Sequence, residues 1–176
     1  MPKEVAIPLI IVGSIFGLWL LLFIVDMIFV GSYANFFRKH KKGLTVILYN
    51  KLENLKRIMT AMKQSGVEVD NRYIVLANDI GENDFLEPGS KQYNKSRDVL
   101  SYLKDELLFI ANKHPELNDN PDFVQAKNYV IESDNFYRNN VLVYNADVLG
   151  YNYWIRFLPC RFIFMMFRVK KKEIIS

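Results

Sequence analysis

Catalysis needs groups that can move a proton, attack a carbon or hold a metal at a fixed spacing, and this sequence offers few of them. It has two histidines: His40 lies inside a basic run and His114 directly precedes a proline. The single cysteine, Cys160, stands between Pro159 and Arg161. The arginine can lower the thiol pKa, but no histidine lies near in sequence to act as its base. Asp79, Glu82, Asp84 and Glu87 are close enough in sequence to gather a calcium ion, yet they lack EF-hand spacing and read as a solvated acidic loop. Asp105 and Glu106 read as helix-surface charges, Asp119 and Asp122 as cap charges. No HExxH, GxSxG, Walker A or GxGxxG pattern is present, and the eight glycines are scattered. One cysteine also excludes an internal disulfide framework or a thiol zinc cluster. The sequence therefore predicts no catalytic residue, no cofactor and no metal. A calcium-dependent hydrolase built on the acidic loop is the enzymatic alternative.

The opening segment is more informative. Residues 5–25 contain no charged side chain, and Asp26 is the first to interrupt the run. At about 1.5 Å per residue, that stretch gives about 31 Å of helix, the thickness of a hydrocarbon core. It predicts a short external tail (residues 1–4) and a transmembrane helix (residues 5–31). A cleaved signal peptide is the alternative, but Glu4 cancels Lys3 and no small-x-small site follows before Arg38. Tyr33, Phe36 and Phe37 suit the far interface. Arg38, Lys39, Lys41 and Lys42 then form a basic juxtamembrane segment (residues 32–43) against Lys3 alone on the other side. The positive-inside bias places the amino end outside and the remainder in the cytoplasm. Gly13 and Gly17 form a GxxxG pair through which two such helices can pack into a homo-oligomer.

Beyond the anchor the periodicity is helical. Leu44, Leu48, Leu52, Leu55, Met59 and Met62 step by three or four, with Gly66 as a stop. Val99, Leu103, Leu107 and Ile110 mark a second helix after Tyr93, ended by His114-Pro115. A third begins at Asn120-Pro121, a cap followed by proline, and carries Phe123, Val130, Tyr137, Val141, Tyr144, Val148, Tyr151 and Ile155 as far as Pro159. A short helix fits residues 69–80, followed by a turn-rich loop around Pro88-Gly89. The predicted fold is all-α: one amino-terminal span, then an antiparallel bundle of long helices over residues 44–159, then a tail over residues 160–176.

Charge is sorted along the chain. Residues 1–42 carry a net +3, residues 43–155 a net −4 and residues 156–176 a net +5. A mildly acidic body argues against nucleic acid as a partner. The tail mixes Trp154, Phe162, Phe164 and Phe167 with Arg161, Arg168, Lys170, Lys171 and Lys172, a composition that suits an anionic bilayer surface or, alternatively, a cap on the bundle core.

His114-Pro115-Glu116-Leu117-Asn118-Asp119-Asn120 followed by Phe123 resembles the "YPELKAN..F" signature of the LemA family. Asp134-Asn135 stands where that family has Glu-Asn. Tyr144-Asn145, Val148, Tyr151-Asn152, Ile155-Arg156 and Pro159 are similar to its "YN..V..YN..IR.FP" run. The resemblance implies a divergent member: a single-pass bacterial inner-membrane protein with a cytoplasmic helical domain and no agreed biochemical activity. One branch of that family is associated with magnetosome formation, which suggests organisation of membrane or partner proteins.

On the residues themselves, Tyr137, Tyr144 and Tyr151 recur every seven positions on one helix face, with Asn145 and Asn152 on the neighbouring face. They predict a polar seam that fixes helix register by hydrogen bonding across helices. The expected function is a non-enzymatic, membrane-anchored interaction module that meets the lipid bilayer and unknown protein partners. A lipid- or envelope-stress-sensing adaptor whose tail contacts anionic lipid is the alternative.

Overall fold

Nothing in residues 9–64 forces the chain out of helical geometry. No proline follows Pro8, and each interior glycine costs only about 1 kcal/mol against alanine. In the computed structural model, which describes residues 3–156, 165 and 170–175, helix α1 accordingly runs unbroken over Lys3–Gln64. The expected span, the basic segment and the first amphipathic helix, predicted as separate segments, are therefore one element of 62 residues.

α1 ends where glycine permits it. Gly66 adopts φ +78°, the Val67 N–H donates to Met62 O at 2.9 Å, and the Gly66 N–H donates to Lys63 O at 3.1 Å. That pair of bonds is a Schellman stop, and its left-handed residue favours a side chain without Cβ. α2 (Asn71–Asn78) is capped by Asp70, whose side chain accepts the Arg72 N–H at 2.8 Å. A 3₁₀ turn (Glu82–Phe85) precedes α3 (Lys91–Asn112), which Ser90 caps by accepting the Tyr93 N–H at 3.1 Å. A second 3₁₀ turn (Pro115–Asp119) leads to α4 (Pro121–Trp154). Asn120 caps α4 through Oδ1, accepting the N–H groups of Asp122 at 3.0 Å and Phe123 at 3.3 Å. Among the described residues the chain is all-helical and has no strand.

The chain divides into two compact units: Met1–Arg38 with Ala146–Glu173, and Lys39–Asn145 with Ile174–Ser176. The second holds the larger core. The predicted α1 stripe, Leu44 to Met62, is buried throughout. On α3 the buried face centres on Tyr93, Leu100, Leu103, Leu107 and Ala111, with Val99 and Ile110 at its partly buried edges. Tyr93 and Leu100 extend the three-and-four ladder through Leu103 and Leu107, which turns the face slightly from the expected one. Phe85 fills this core from the first 3₁₀ turn; its carbonyl accepts the Thr45 hydroxyl at 2.6 Å, and its ring meets Tyr93 edge-on at 6.3 Å.

The first unit is built differently. Val148, Tyr151 and Ile155 of α4 are buried, and the Tyr151 ring packs against Tyr33 at 5.5 Å and edge-on against Phe37 at 5.4 Å. Asp26 is buried here as well. In contrast, Ile10, Ile15, Phe16, Leu18, Leu21 and Ile28 are all more than half exposed. α1 is long and apolar enough to cross a membrane: its most apolar stretch has mean hydropathy 2.4 and is 6% buried.

The core assignment predicts that Leu55→Ala costs about 2–5 kcal/mol of stability in denaturant melts of the detergent-solubilised protein. Leu142→Ala, at a site 61% exposed, should change it by less than about 0.5 kcal/mol.

Candidate functional site

Leu44, Leu48, Lys51, Leu55, Ile58 and Met62 alternate by fours and threes along α1, and all are buried. A lysine occupies one rung of this apolar ladder, so its ammonium needs a partner there. It finds Asp134 of α4, whose Oδ1 accepts from Lys51 Nζ. The second oxygen, Oδ2, accepts from Lys104 Nζ of α3 at 2.7 Å, and Lys104 also lies 3.3 Å from Asp105. One carboxylate thus joins three helices.

The electrostatics follow from burial. Desolvation lowers the Lys51 pKa below its usual value, and the Asp134 hydrogen bond and charge offset only part of that. Burial also opposes ionisation of Asp134, but the hydrogen bonds from Lys104 and Lys51 outweigh it and hold the carboxyl below its usual range. Lys104 moves upward, chiefly through its bond to Asp134. Asp134 and Lys104 are both charged at neutral pH, and Asp105 adds a second carboxylate beside Lys104.

Hydroxyls extend the polar seam. The Tyr93 hydroxyl donates to the Tyr137 hydroxyl at 3.0 Å, and burial followed by that bond pushes its pKa up. Tyr73 donates to Glu106 Oε2 at 2.9 Å, which with burial raises its pKa to about 12.

The asparagines take a different partner from the expected one. Asn145 Nδ2 donates to Ile175 O at 2.8 Å, and the Ile175 N–H donates back to Asn145 Oδ1 at 2.8 Å. Asn152 Nδ2 donates to Lys172 O at 2.8 Å, and the Lys172 N–H donates back to Asn152 Oδ1 at 3.0 Å. The two side chains hold the main chain of residues 170–175, not another helix. The physical reason is complementarity: a carboxamide carries one donor edge and one acceptor, the same pair that a single residue's N–H and C=O present.

The remaining motif positions serve the fold. Leu117 and Phe123 are fully buried, and Val148, Tyr144, Tyr151 and Ile155 are buried. The Pro115 carbonyl accepts the Asn118 side-chain amide at 3.1 Å, and Glu116 lies 2.8 Å from His114 Nδ1. Asn135 Oδ1 accepts weakly from Arg138 at 3.4 Å on the surface, and Arg156 is exposed. Of the interface set, Arg38, Lys39 and Lys42 are exposed on α1, Lys41 is half-buried, and Lys170, Lys171 and Lys172 are exposed. Trp154 is the last residue of α4. Pro159, Arg161, Phe162, Phe164, Phe167 and Arg168 lie outside the described residues.

In the acidic loop, Asp84 accepts the Gly81 N–H at 3.0 Å and the Gln92 amide at 3.1 Å, so its carboxylate closes a turn. Among the described residues no group of three or more His, Cys, Asp or Glu side chains is placed to hold a metal ion. No protein-family model, curated protein or solved structure matches the chain.

Removing the charge of Asp134 while keeping its shape leaves Lys51 buried without a counter-ion. Asp134→Asn should cost about 2–3 kcal/mol, less than a fully buried pair because the Asp134 side chain is 41% exposed. Lys51→Met, which removes the buried charge itself, should cost under about 1 kcal/mol or stabilise, and leaves Lys104 on Asp134. Denaturant melts of the two variants check the asymmetry.

The acid limit has a definite sign. A carboxyl with a depressed folded pKa contributes stability above the ordinary value of 3.8 and loses it as pH falls through the lower folded value. The gap between wild type and Asp134→Asn should therefore be full at neutral pH and shrink below about pH 4.

Proposed function

We propose that the protein is a non-enzymatic interaction module held at a membrane by α1. The supporting observation is the change of surface along that single helix. From Ile10 to Phe29 most large apolar side chains are exposed, whereas from Leu44 to Met62 most are buried on one stripe, Val46 being the exposed exception. An all-round apolar helix is at home in hydrocarbon, and an amphipathic one in a folded domain. In this reading the apolar stretch spans a bacterial inner membrane with the amino end outside. The exposed Arg38, Lys39 and Lys42 mark the cytoplasmic boundary, and the rest forms an antiparallel bundle in the cytoplasm. Family membership is part of the proposal: Asn120, Phe123, Leu117 and the Tyr-Asn positions that carry the LemA resemblance are caps, core residues and clasps, as motif residues of a scaffold should be. Two of the side chains that chemistry would need, Asp84 and His114, are committed to local structural contacts.

Exposed Lys170, Lys171 and Lys172 favour one secondary role, contact with anionic lipid by the tail. Gly13 and Gly17 leave open space where a Cβ would stand, which suits close helix approach in a homo-oligomer.

A green fluorescent reporter fused after Ser176 should be bright and a periplasmic phosphatase reporter at the same place inactive, with the protein resisting alkaline extraction from membranes. An active phosphatase fusion would contradict the reading.

A further inference from the structure

We propose that a trough between the end of α1 and the start of α4 binds a small zwitterion, a molecule with a carboxylate or phosphate at one end and a protonated amine at the other. The trough lies wholly within the second unit, and a ligand there goes beyond the interaction-module reading.

Residue spacing makes the trough. Glu53, Arg57, Ala61 and Gln64 step by four, four and three along α1, so they share one face of that helix. Asp122 and Gln125, three apart in the first turns of α4, form the other wall. Ala61 is buried, and its methyl group stands where a longer side chain would fill the gap. The space left is about 380 Å³, within the range of small-molecule sites.

The polar groups around this space are uncommitted. Lys56, also on the α1 wall, lies 3.6 Å from Glu53, so those two charges answer each other. Arg57 and Asp122 are exposed and enter no ion pair among the described residues, and the exposed Gln64 and Gln125 make no side-chain hydrogen bond there. α1 therefore contributes one free cation, α4 one free anion, and each helix one free carboxamide. Opposite charges that line one cavity would gain by closing on each other, and the width of the trough keeps these two apart.

A guest carrying both charges bridges them. The Arg57 guanidinium can grip a planar carboxylate or a phosphate with two N–H bonds, and the Asp122 carboxylate accepts from an ammonium. The two carboxamides each offer donors and an acceptor to whatever joins the ends. A singly charged guest leaves one of the two protein charges unanswered, and an apolar guest leaves both, so the lining discriminates against them. Free amino acids, short peptides and the phosphoethanolamine group of a lipid share the required chemistry.

The test uses the full chain in lipid nanodiscs and a panel of the common amino acids, dialanine and glycerophosphoethanolamine, each at about 5 mM. At least one member should raise the melting midpoint by about 2 °C or more and bind saturably in calorimetry. An amino acid or dialanine as the hit assigns the site to a soluble ligand, and glycerophosphoethanolamine assigns it to a lipid headgroup; either supports the site. The hit with its amine acetylated, or with its acid group blocked as an amide or ester, should bind at least about tenfold more weakly.

Arg57→Gln and Asp122→Asn should each weaken the hit by a similar factor, and each should erase one preference. Arg57→Gln should no longer distinguish the free from the blocked acid, and Asp122→Asn should no longer distinguish the free from the acetylated amine. A role in folding alone would not sort the two ends in this way. If a variant fails to fold, the blocked ligands still decide on the wild-type chain. No binding by any panel member, binding indifferent to both blocking groups, or binding unchanged in both folded variants would each overturn the proposal.

Discussion

A helix that is apolar on every side has no stable place in water, and this constraint governs the amino-terminal part of the chain. Backbone groups in residues 10–29 are satisfied within the helix, and the large cost that water leaves in place is the exposed hydrocarbon of side chains such as Ile11, Ile15, Leu18 and Ile28. At about 25 cal/mol per Å² of apolar area, each large side chain removed from water contributes on the order of 1.5–3 kcal/mol. In the proposed reading, a bilayer answers that cost for all of them at once. The same helix, without a break, then becomes a core element: beyond Leu44 the ladder Leu48, Leu52, Leu55, Met59 and Met62 is covered by protein.

Within the second unit the arrangement depends on charge as well as on packing. A lysine on the core ladder of α1 is tolerable only because Asp134 reaches it, and Lys104 lets that carboxylate stay ionised. Replacing all three groups with hydrocarbon would be no less stable, since desolvation consumes most of what the pairing returns. Retaining them has another consequence. Any slip of α1 against α4 strands the Lys51 ammonium, so the cluster fixes register, as a buried polar residue does in a coiled coil. The Tyr93–Tyr137 hydroxyl pair adds a second registered contact between α3 and α4.

The periodic elements were legible in the sequence because each rests on local signals. The α1 stripe, the Asn120-Pro121 start of α4, the stop at Gly66 and the short helix near residue 70 follow from spacing, capping and backbone sterics. Helix continuity across residues 32–43 was not legible, since a change in surface chemistry looks like a boundary although the backbone sees none. Lys51 and Lys104 were missed for a different reason. Lys51 carries a visible signal, a charge on a four-and-three ladder, but the signal emerges only when the ladder is written through position 51 rather than Leu52. Lys104 carries none, because its role is set by Asp134, thirty residues away. The asparagines were found as a pair and assigned the wrong class of partner: helix spacing shows that two side chains share a face, and only the fold shows that residues 170–175 return to it.

The central claim is that the first part of α1 faces lipid and the later part faces protein. Nitroxide labels placed singly at Ile11, Ile15, Leu18, Leu48 and Leu52 of the protein in nanodiscs, with oxygen and a water-soluble nickel chelate as relaxing agents, measure this directly. The account predicts that the first three labels collide freely with oxygen and hardly at all with nickel, while the last two are shielded from both. Nickel access at Ile15 and Leu18 equal to that at an exposed position such as Tyr153 would contradict it.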